Sequence, residues 1–336
     1  AQGVIAVGLV GMALNDPAQM LAPLVGCALA VALGSATQDI ALDAYRIESA
    51  EVDAQATLAA SYQTGYRLAM IWAGAGVLWI AARVQGADAT GYAPAAWQAA
   101  YLVMALSLLP GMLTVLASPE PAQRPMPAAR SLGEWLHGAL VEPFADFWHR
   151  YRWQALLVLA LIAVYRISDV VMGIMANPFY VDMGYTKDEV AAVTKIYGVV
   201  MTLVGAFVGG LLSSHLGVMR VLMLGAVLSA ASNLLFAWLC GVGHNVTALI
   251  LVVSADNLAS GIASAAFIAY LSSLTNIRYS ATQYALLSSM MLLLPKFIAG
   301  FSGDFVNAHG YVAFFEATAW LGVPVLLLVW LASRVK

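Results

Sequence analysis

Charge is scarce in this sequence. Of its 336 residues only 10% are Asp, Glu, Lys or Arg, against about a quarter in an ordinary soluble domain, so a soluble globular protein is excluded. The net charge of -3 is spread over connecting segments, and no basic tract lies beside an apolar run. That argues against a nucleic-acid surface or a dedicated lipid-headgroup site. Cysteine is nearly absent: Cys27 and Cys240 stand far apart without the paired spacing of a metal or redox site, and read as small packing residues. Catalytic words are missing too. There is no G-x-S-x-G, no H-E-x-x-H and no phosphate-binding glycine loop, and all five histidines fall in loops or at the ends of apolar runs. No enzyme, metal or cofactor is expected from these residues. The basic flank of a signal peptide is lacking as well.

What the chain has instead is apolar length. Hydrophobic residues make up 62% of it, and runs occur at 1–14, 19–45, 54–82, 96–117, 153–180, 189–213, 216–240, 245–272, 281–301 and 310–333. A helix of about 20 residues crosses a hydrocarbon layer of roughly 30 Å. Lipid offers backbone groups no hydrogen-bond partner, so such runs are helices, and the alternation of a membrane barrel is absent. The expected fold is an all-α polytopic membrane protein of ten helices. The polar stretch at 118–152 divides them into 1–117, the remainder of an N-terminal bundle, and 153–336, a six-helix C-terminal bundle. Four against six, with a first run too short to span, reads as a fragment lacking two upstream helices of a six-plus-six transporter plan. Charge placement tests this. With 118–152 cytoplasmic, alternation puts Arg46, Arg124, Arg130, Arg150, Arg152, Arg220, Arg278, Arg334 and Lys336 on the cytoplasmic side, and only Arg83 and Lys187 opposite. Nine against two satisfies the positive-inside rule.

Within the central segment, Ser131 with Glu134 three residues on reads as a helix start. Trp135, Leu136, Leu140, Phe144, Phe147 and Trp148 supply an apolar face, interrupted by Pro143. The expectation is a short helix lying at the cytoplasmic headgroups, with a disordered linker as the alternative.

Four cations fall inside the runs: Arg67, Arg166, Lys195 and Lys296. The acids there or nearby are Asp39, Asp43, Asp169, Asp256 and Glu316. A charge at mid-membrane costs about 2.5–3.5 kcal/mol even on insertion scales, so these residues need partners or a polar cavity. Asp39 and Asp43 share a helix face, as do Arg166 and Asp169. Asp43, near Arg46 and Glu48 at the cytoplasmic end, reads equally as a gate contact or a proton carrier. Asp39 lies one turn deeper and suits proton coupling, unless Arg67 or another cation keeps it ionised. Gln38, Tyr45, Tyr62, Gln63, Tyr66, Tyr165, Asn177, Tyr197, Asn257, Gln283 and Tyr284 add hydrogen-bonding groups, and together suggest a polar cavity for a hydroxyl-rich ligand. The glycine faces WAGAG, GAFVGG and ASGIAS allow close helix approach. Pro178, Pro295 and Pro324 are expected to kink their helices.

SATQDIALDAYR at 35–46, GYRLAM at 65–70, WQAAYLVMA at 97–105, YRISD at 165–169, DNLASGIASAAFIAYL at 256–271 and YSATQYALLSS at 279–289 resemble, in order, the AmpG muropeptide permeases of the major facilitator superfamily. The resemblance implies a major facilitator fold, with ten of twelve core helices present. It also implies a multi-pass inner-membrane importer of N-acetylglucosaminyl-1,6-anhydro-N-acetylmuramyl peptides, driven by the proton gradient, tied to cell-wall recycling and β-lactam resistance, with the bilayer as its surroundings and a monomer as its unit. Carried onto this chain, Asp39 and Asp43 are the proton-coupling candidates. Gln38, Tyr66, Arg67, Arg166, Asp169, Lys195, Asp256, Asn257 and Gln283 are the substrate-binding candidates. Asp256 stands where the family often has Glu, and GLLSSHLGVMR at 210–220 keeps only a degraded superfamily loop. Alternatives are a membrane-embedded acyl- or glycosyltransferase, a transporter of another solute such as acetyl-coenzyme A, and a transporter-like receptor.

Overall fold

The computed structural model describes residues 1–17, 21–49, 51, 54–85, 93–120, 131, 133–134 and 137–334. Helices account for the regular structure among these residues, with no strand. We number them α1 (Gln2–Leu14), α2 (Leu21–Glu48), α3 (Thr57–Gln85), α4 (Pro94–Ala117), α5 (Glu142–Tyr151), α6 (Gln154–Asp182), α7 (Ala191–Leu216), α8 (Val218–Val242), α9 (Val246–Leu274), α10 (Ser280–Ala299) and α11 (Ser302–Ala332). All but α5 fall on the ten expected spans. Among the described residues eight, α2, α3, α4, α6, α7, α8, α9 and α11, are long and apolar enough to cross a membrane. The shorter α1 and the more polar α10, which carries Gln283, Pro295 and Lys296, fall outside that set.

The chain divides into two compact units, Ala1–Ser49 with Gly65–Pro125, and Ala50–Thr64 with Met126–Lys336. In the first, α1 packs against α2 and α4. A Cβ on Gly8 would fall 2.6 Å from a Val31 methyl group, and one on Gly11 2.5 Å from Cys27 Sγ. Cys27 is thus a packing residue, as its isolation in the sequence suggests. The end of α3 packs on α4 through Ile80, Ala81, Ala96, Ala100 and Met104. WAGAG behaves differently from the other glycine faces: Trp72–Gly76 is a π-helical turn, Gly74 faces open space, and Gly76 lies beneath its own Trp72 ring.

The second unit is built on backbone contact. A Cβ on Gly205 of α7 would fall 2.3 Å from the Leu258 carbonyl oxygen of α9, and one on Gly261 of α9 would fall 2.3 Å from the Thr202 carbonyl oxygen. The words GAFVGG and ASGIAS are therefore the two sides of one contact, in which small residues let dispersion act between main chains. Between α6, α8 and α11, Phe179, Phe236 and Phe315 pack edge to face and tilted, with ring centres 5.1–6.2 Å apart.

Two expected features take a specific form. Pro143 does not end the linker helix; it stands where the π-helical turn His137–Val141 gives way to α5, so the helical geometry changes at the proline. Upstream, the Glu134 amide donates to Ser131 Oγ at 3.1 Å, as the cap signature implies. A helical stretch from Ser302, which the sequence reading leaves unassigned, precedes the last expected span, and Gly310, with φ 80° and ψ 171°, separates the two, so the expected start at 310 stands. Trp135, Leu136, Arg124, Arg130 and Lys336, and the side chains of Leu140 and Lys187, lie outside the described residues.

Between α6 and α7, Thr186 and Glu189 form a reciprocal cap. The Thr186 amide donates to Glu189 Oε2 at 2.8 Å, the Glu189 amide donates to Thr186 Oγ1 at 3.2 Å, and His244 Nε2 meets the same carboxylate at 3.1 Å. The Thr186 backbone N–H, helped by His244 and the Thr186 hydroxyl, holds the Glu189 carboxyl down at about 2, against an ordinary 4.5. Because the folded value is depressed, the cap contributes fully above pH 4.5 and is lost only as pH falls towards 2. An NMR titration of the Glu189 side-chain carbon should give that low midpoint; an ordinary midpoint would mean the cap is not formed.

Replacing Gly261 by Ala should destabilise the protein by about 1–3 kcal/mol through forced separation of α7 and α9. Gly173→Ala, where nothing stands within 4 Å of an added Cβ, should not lower stability. The two unfolding midpoints in detergent make the comparison.

Candidate functional site

The middle of the second unit holds a compact charged group. The helix α6 breaks at Arg166, which has φ -93° and ψ 6°, between the helical halves Gln154–Val164 and Ile167–Asp182. Asp169 therefore sits in the first turn of the second half, where free amides favour a negative charge. Arg166 Nε lies 3.4 Å from Asp169 Oδ2, with side-chain exposures of 19% and 14%. The guanidinium also donates to Ser264 Oγ of α9 at 2.7 Å. On the other side the Ser229 hydroxyl of α8 donates to Asp169 Oδ1. Ser232, one turn on, donates to Asp256 Oδ1 of α9 at 3.1 Å. At 1.5 Å per residue, Arg166 and Asp256 lie roughly 15–18 Å from the starts of their helices, near mid-span.

Asn257, next along α9, accepts from Thr202 Oγ1 of α7 at 2.8 Å and donates to the Val253 carbonyl at 2.9 Å. The neighbouring Tyr165 does not offer itself to a ligand: its ring stacks on Phe267 at 4.4 Å and its hydroxyl donates to the Leu222 carbonyl at 3.0 Å. Lys195 lies on the π-helical turn Ala191–Tyr197 that opens α7, its side chain outside the described residues.

The structure thus brings together Arg166, Asp169 and Asp256, with Asn257 next to Asp256 on α9 but turned towards Thr202 of α7. The hydroxyls that hold them, Ser229, Ser232, Ser264 and Thr202, escape sequence reasoning because Ser and Thr are ordinary in membrane helices. Their only signal was the three-residue spacing in SAAS, 229–232, which puts Ser229 and Ser232 on one face.

Gln283 lies elsewhere. Its side chain is buried, 2% exposed, and every bonding position of its amide is filled. Oε1 accepts from Arg150 at 3.0 Å and from the Asn276 amide at 2.7 Å, while Nε2 donates to the Pro143 carbonyl at 2.8 Å and to Asp146 at 2.9 Å. Tyr279 adds a bond to Glu142 at 2.7 Å, which helps raise its phenol above the ordinary range. These contacts fasten α5 to the start of α10.

In the first unit, Asp43 Oδ1 lies 3.6 Å from Arg46 Nη2, both largely buried. Asp39 is exposed on α2, Gln38 is half-buried, Tyr66 is 57% exposed and Arg67 is half-buried. A cavity of about 330 Å³ in the same unit is lined by Asn15, Asp16, Trp97, Gln98 and Tyr101 among others, aromatic faces beside amides and a carboxylate.

Comparison with known proteins decides the family. The chain is 31% identical to AmpG 4 of Rickettsia felis over 330 residues, covering 98% of this chain and 77% of that protein. The chain belongs to the AmpG family. It is also 31% identical to the anhydromuropeptide permease of Escherichia coli K12 over 329 residues, 98% of this chain and 64% of the permease's length. No protein-family model matches. Among solved structures, the Escherichia coli fucose:proton symporter FucP superposes with a TM-score of 0.70 at 15% identity, covering 99% of this chain and 84% of that one. The proton:xylose symporter XylE superposes at 0.68 and 14%, covering 100% and 78%. At such low identity these likenesses show the fold alone, which is that of the major facilitator superfamily. The AmpG chain is accordingly a multi-pass inner-membrane transporter with a small-molecule substrate, and not an enzyme.

If Gln283 fastens the linker helix, Gln283→Ala should raise amide exchange over 142–151 by about tenfold or more, the equivalent of one or two net hydrogen bonds. The spanning helices should be unaffected. Unchanged exchange would assign the anchorage to the apolar contacts of Phe147 instead.

Proposed function

We propose that this AmpG-family protein is the transport body of a proton-coupled importer of anhydromuropeptides, N-acetylglucosaminyl-1,6-anhydro-N-acetylmuramic acid and its peptides, which it returns to the cytoplasm for cell-wall recycling. The observation that carries this reading is the 31% identity, running through 98% of the chain, to a protein named anhydromuropeptide permease. The chain spans 64% of that permease's length, so the activity is proposed for the full-length protein.

The polar side chains of the spans suit such a substrate. Anhydromuropeptides carry carboxylates, and Arg67, Arg166 and Lys195 are the cations proposed to meet them, with Gln38, Tyr66, Asp169, Asp256 and Asn257 as hydrogen-bonding neighbours. Asp39, one turn deeper than the Asp43–Arg46 pair, is proposed as a proton carrier in the first unit. The gradient supplies the driving force without a cofactor, and a single copy is the proposed working unit. Differential affinity for substrate and proton between two orientations of the site would couple the fluxes. Import of these fragments is also the proposed route by which such a protein bears on β-lactam resistance.

Right-side-out vesicles bearing the full-length protein should accumulate labelled anhydrodisaccharide only when a proton gradient is imposed, and inverted vesicles should lose it. Uptake indifferent to the gradient would remove the coupling; no uptake of the disaccharide or its peptides would remove the substrate.

A further inference from the structure

Among the described side chains, the charges at the centre of the second unit do not balance. Asp169 and Asp256 face a single guanidinium, and that guanidinium is engaged by Asp169 and Ser264. Asp256 has a hydroxyl, Ser232, as its hydrogen-bond partner. The groups facing it from each packed helix complete the account. From α6 come Arg166, Asp169 and Tyr180. From α7 comes Tyr197, whose hydroxyl meets Ser254 at 3.0 Å, the Lys195 side chain lying outside the described residues. From α8 come only the hydroxyls of Ser229 and Ser232 and the amide of Asn233. Among the described residues the group therefore sums to one negative charge near mid-span, where an unbalanced carboxylate is disfavoured.

A second observation is independent of the acids. Asn233, on the α8 face that carries Ser229, is fully buried, and its nitrogen donates to Ser168 at 2.9 Å. Its Oδ1 accepts no hydrogen bond among the described residues. A buried carbonyl oxygen without a donor, on the face that carries Ser229, adds negative potential to a group that already has one uncompensated charge, and so favours a proton there.

We infer that Asp169 and Asp256 jointly hold one exchangeable proton, with Arg166 as their shared counter-charge and Ser232 as the hydroxyl that turns with the proton. This rests on the reading of the protein as a proton-coupled transporter, and adds a proton site in the second unit to the Asp39 carrier proposed for the first. On loading, a proton from water forms an O–H bond on the Asp256 carboxylate and the group becomes neutral. The Ser232 hydroxyl, until then a donor, turns to accept. On release that O–H bond breaks and the proton returns to water on the other side. The Ser232 hydroxyl has one proton and two acceptors in reach, Asp256 Oδ1 at 3.1 Å and the Ser229 carbonyl at 2.9 Å; turning from the first to the second, it links Asp256 to the helical turn whose Ser229 holds Asp169, so that protonation of one carboxylate is felt by the other.

The test uses full-length protein in two arms. Infrared difference spectra on a pH jump, without substrate, should show a protonated-carboxyl band in the wild type that is absent from Asp256→Asn and returns with a moved midpoint in Asp256→Glu. Asp304→Asn, on the exposed start of α11, should keep it. A band lost in Asp39→Asn and kept in Asp256→Asn would overturn the inference. In the second arm, gradient-driven accumulation of labelled anhydrodisaccharide should fall by about tenfold or more in Asp256→Asn, while equilibrium exchange stays within about twofold; accumulation equal to wild type would also overturn it. Should Asp256→Asn fail to fold, Ser232→Ala should move the midpoint of the band and Ser289→Ala should not, and a midpoint unmoved by Ser232→Ala counts against the proposal. A wild type that shows the band but transports no anhydrodisaccharide would refute the substrate reading while leaving the proton site standing.

Discussion

The approach of α7 to α9, main chain against main chain at Gly205, Gly209 and Gly261, is the constraint on which the second unit depends. Lipid tails are as apolar as leucine, so helices gain nothing by hiding apolar surface from them; they gain by fitting closely. The fit at these glycines sets the rotation and depth of α9. That rotation puts Asp256 opposite Ser232, Asn257 opposite Thr202, and Ser264 within reach of Arg166. The polar group is therefore placed by a contact that contains no polar side chain.

Much of this fold was legible in the sequence, because hydrocarbon leaves a chain few choices. All ten expected spans are helices, and the Ser131 cap and the Arg166–Asp169 pair follow from spacing alone. What was not legible has physical reasons. Pro143 looks like a breaker because proline removes an i→i−4 bond, and the π-helical turn His137–Val141 that leads into it leaves no mark in the sequence. Gln283 sits in a word that repeats the SATQ of α2, and repetition carries no information about which partners an amide will meet. Those partners, Asp146, Arg150 and Pro143, come from a segment more than 130 residues away. Ser229 and Ser232 were invisible because a serine in a membrane helix most often bonds its own backbone, as Ser213 and Ser272 do here.

The two SATQ words thus have separate destinies. The first leads into Asp39 and the exposed face of α2; the second ends in a saturated amide that fastens the linker helix. Family membership places both in a transporter, and only local geometry says which is free to meet a solute. The same holds for the tyrosines: Tyr66 is open while Tyr165 is covered on its ring and at its hydroxyl.

The π-helical turn at Trp72–Gly76 has a consequence for how α3 is used. A helix advances 100° per residue, so a turn that admits one extra residue offsets the azimuth of everything beyond it by about that angle relative to an unbroken helix. Tyr66 and Arg67 precede the turn, and Val77, Ile80 and Ala81 follow it. The apolar stripe that seats the far half of α3 on α4 thereby need not lie above the stripe that carries the tyrosine and arginine. One helix presents two phases of a single rotation, and four residues of small side chain and one indole form the gearing between them.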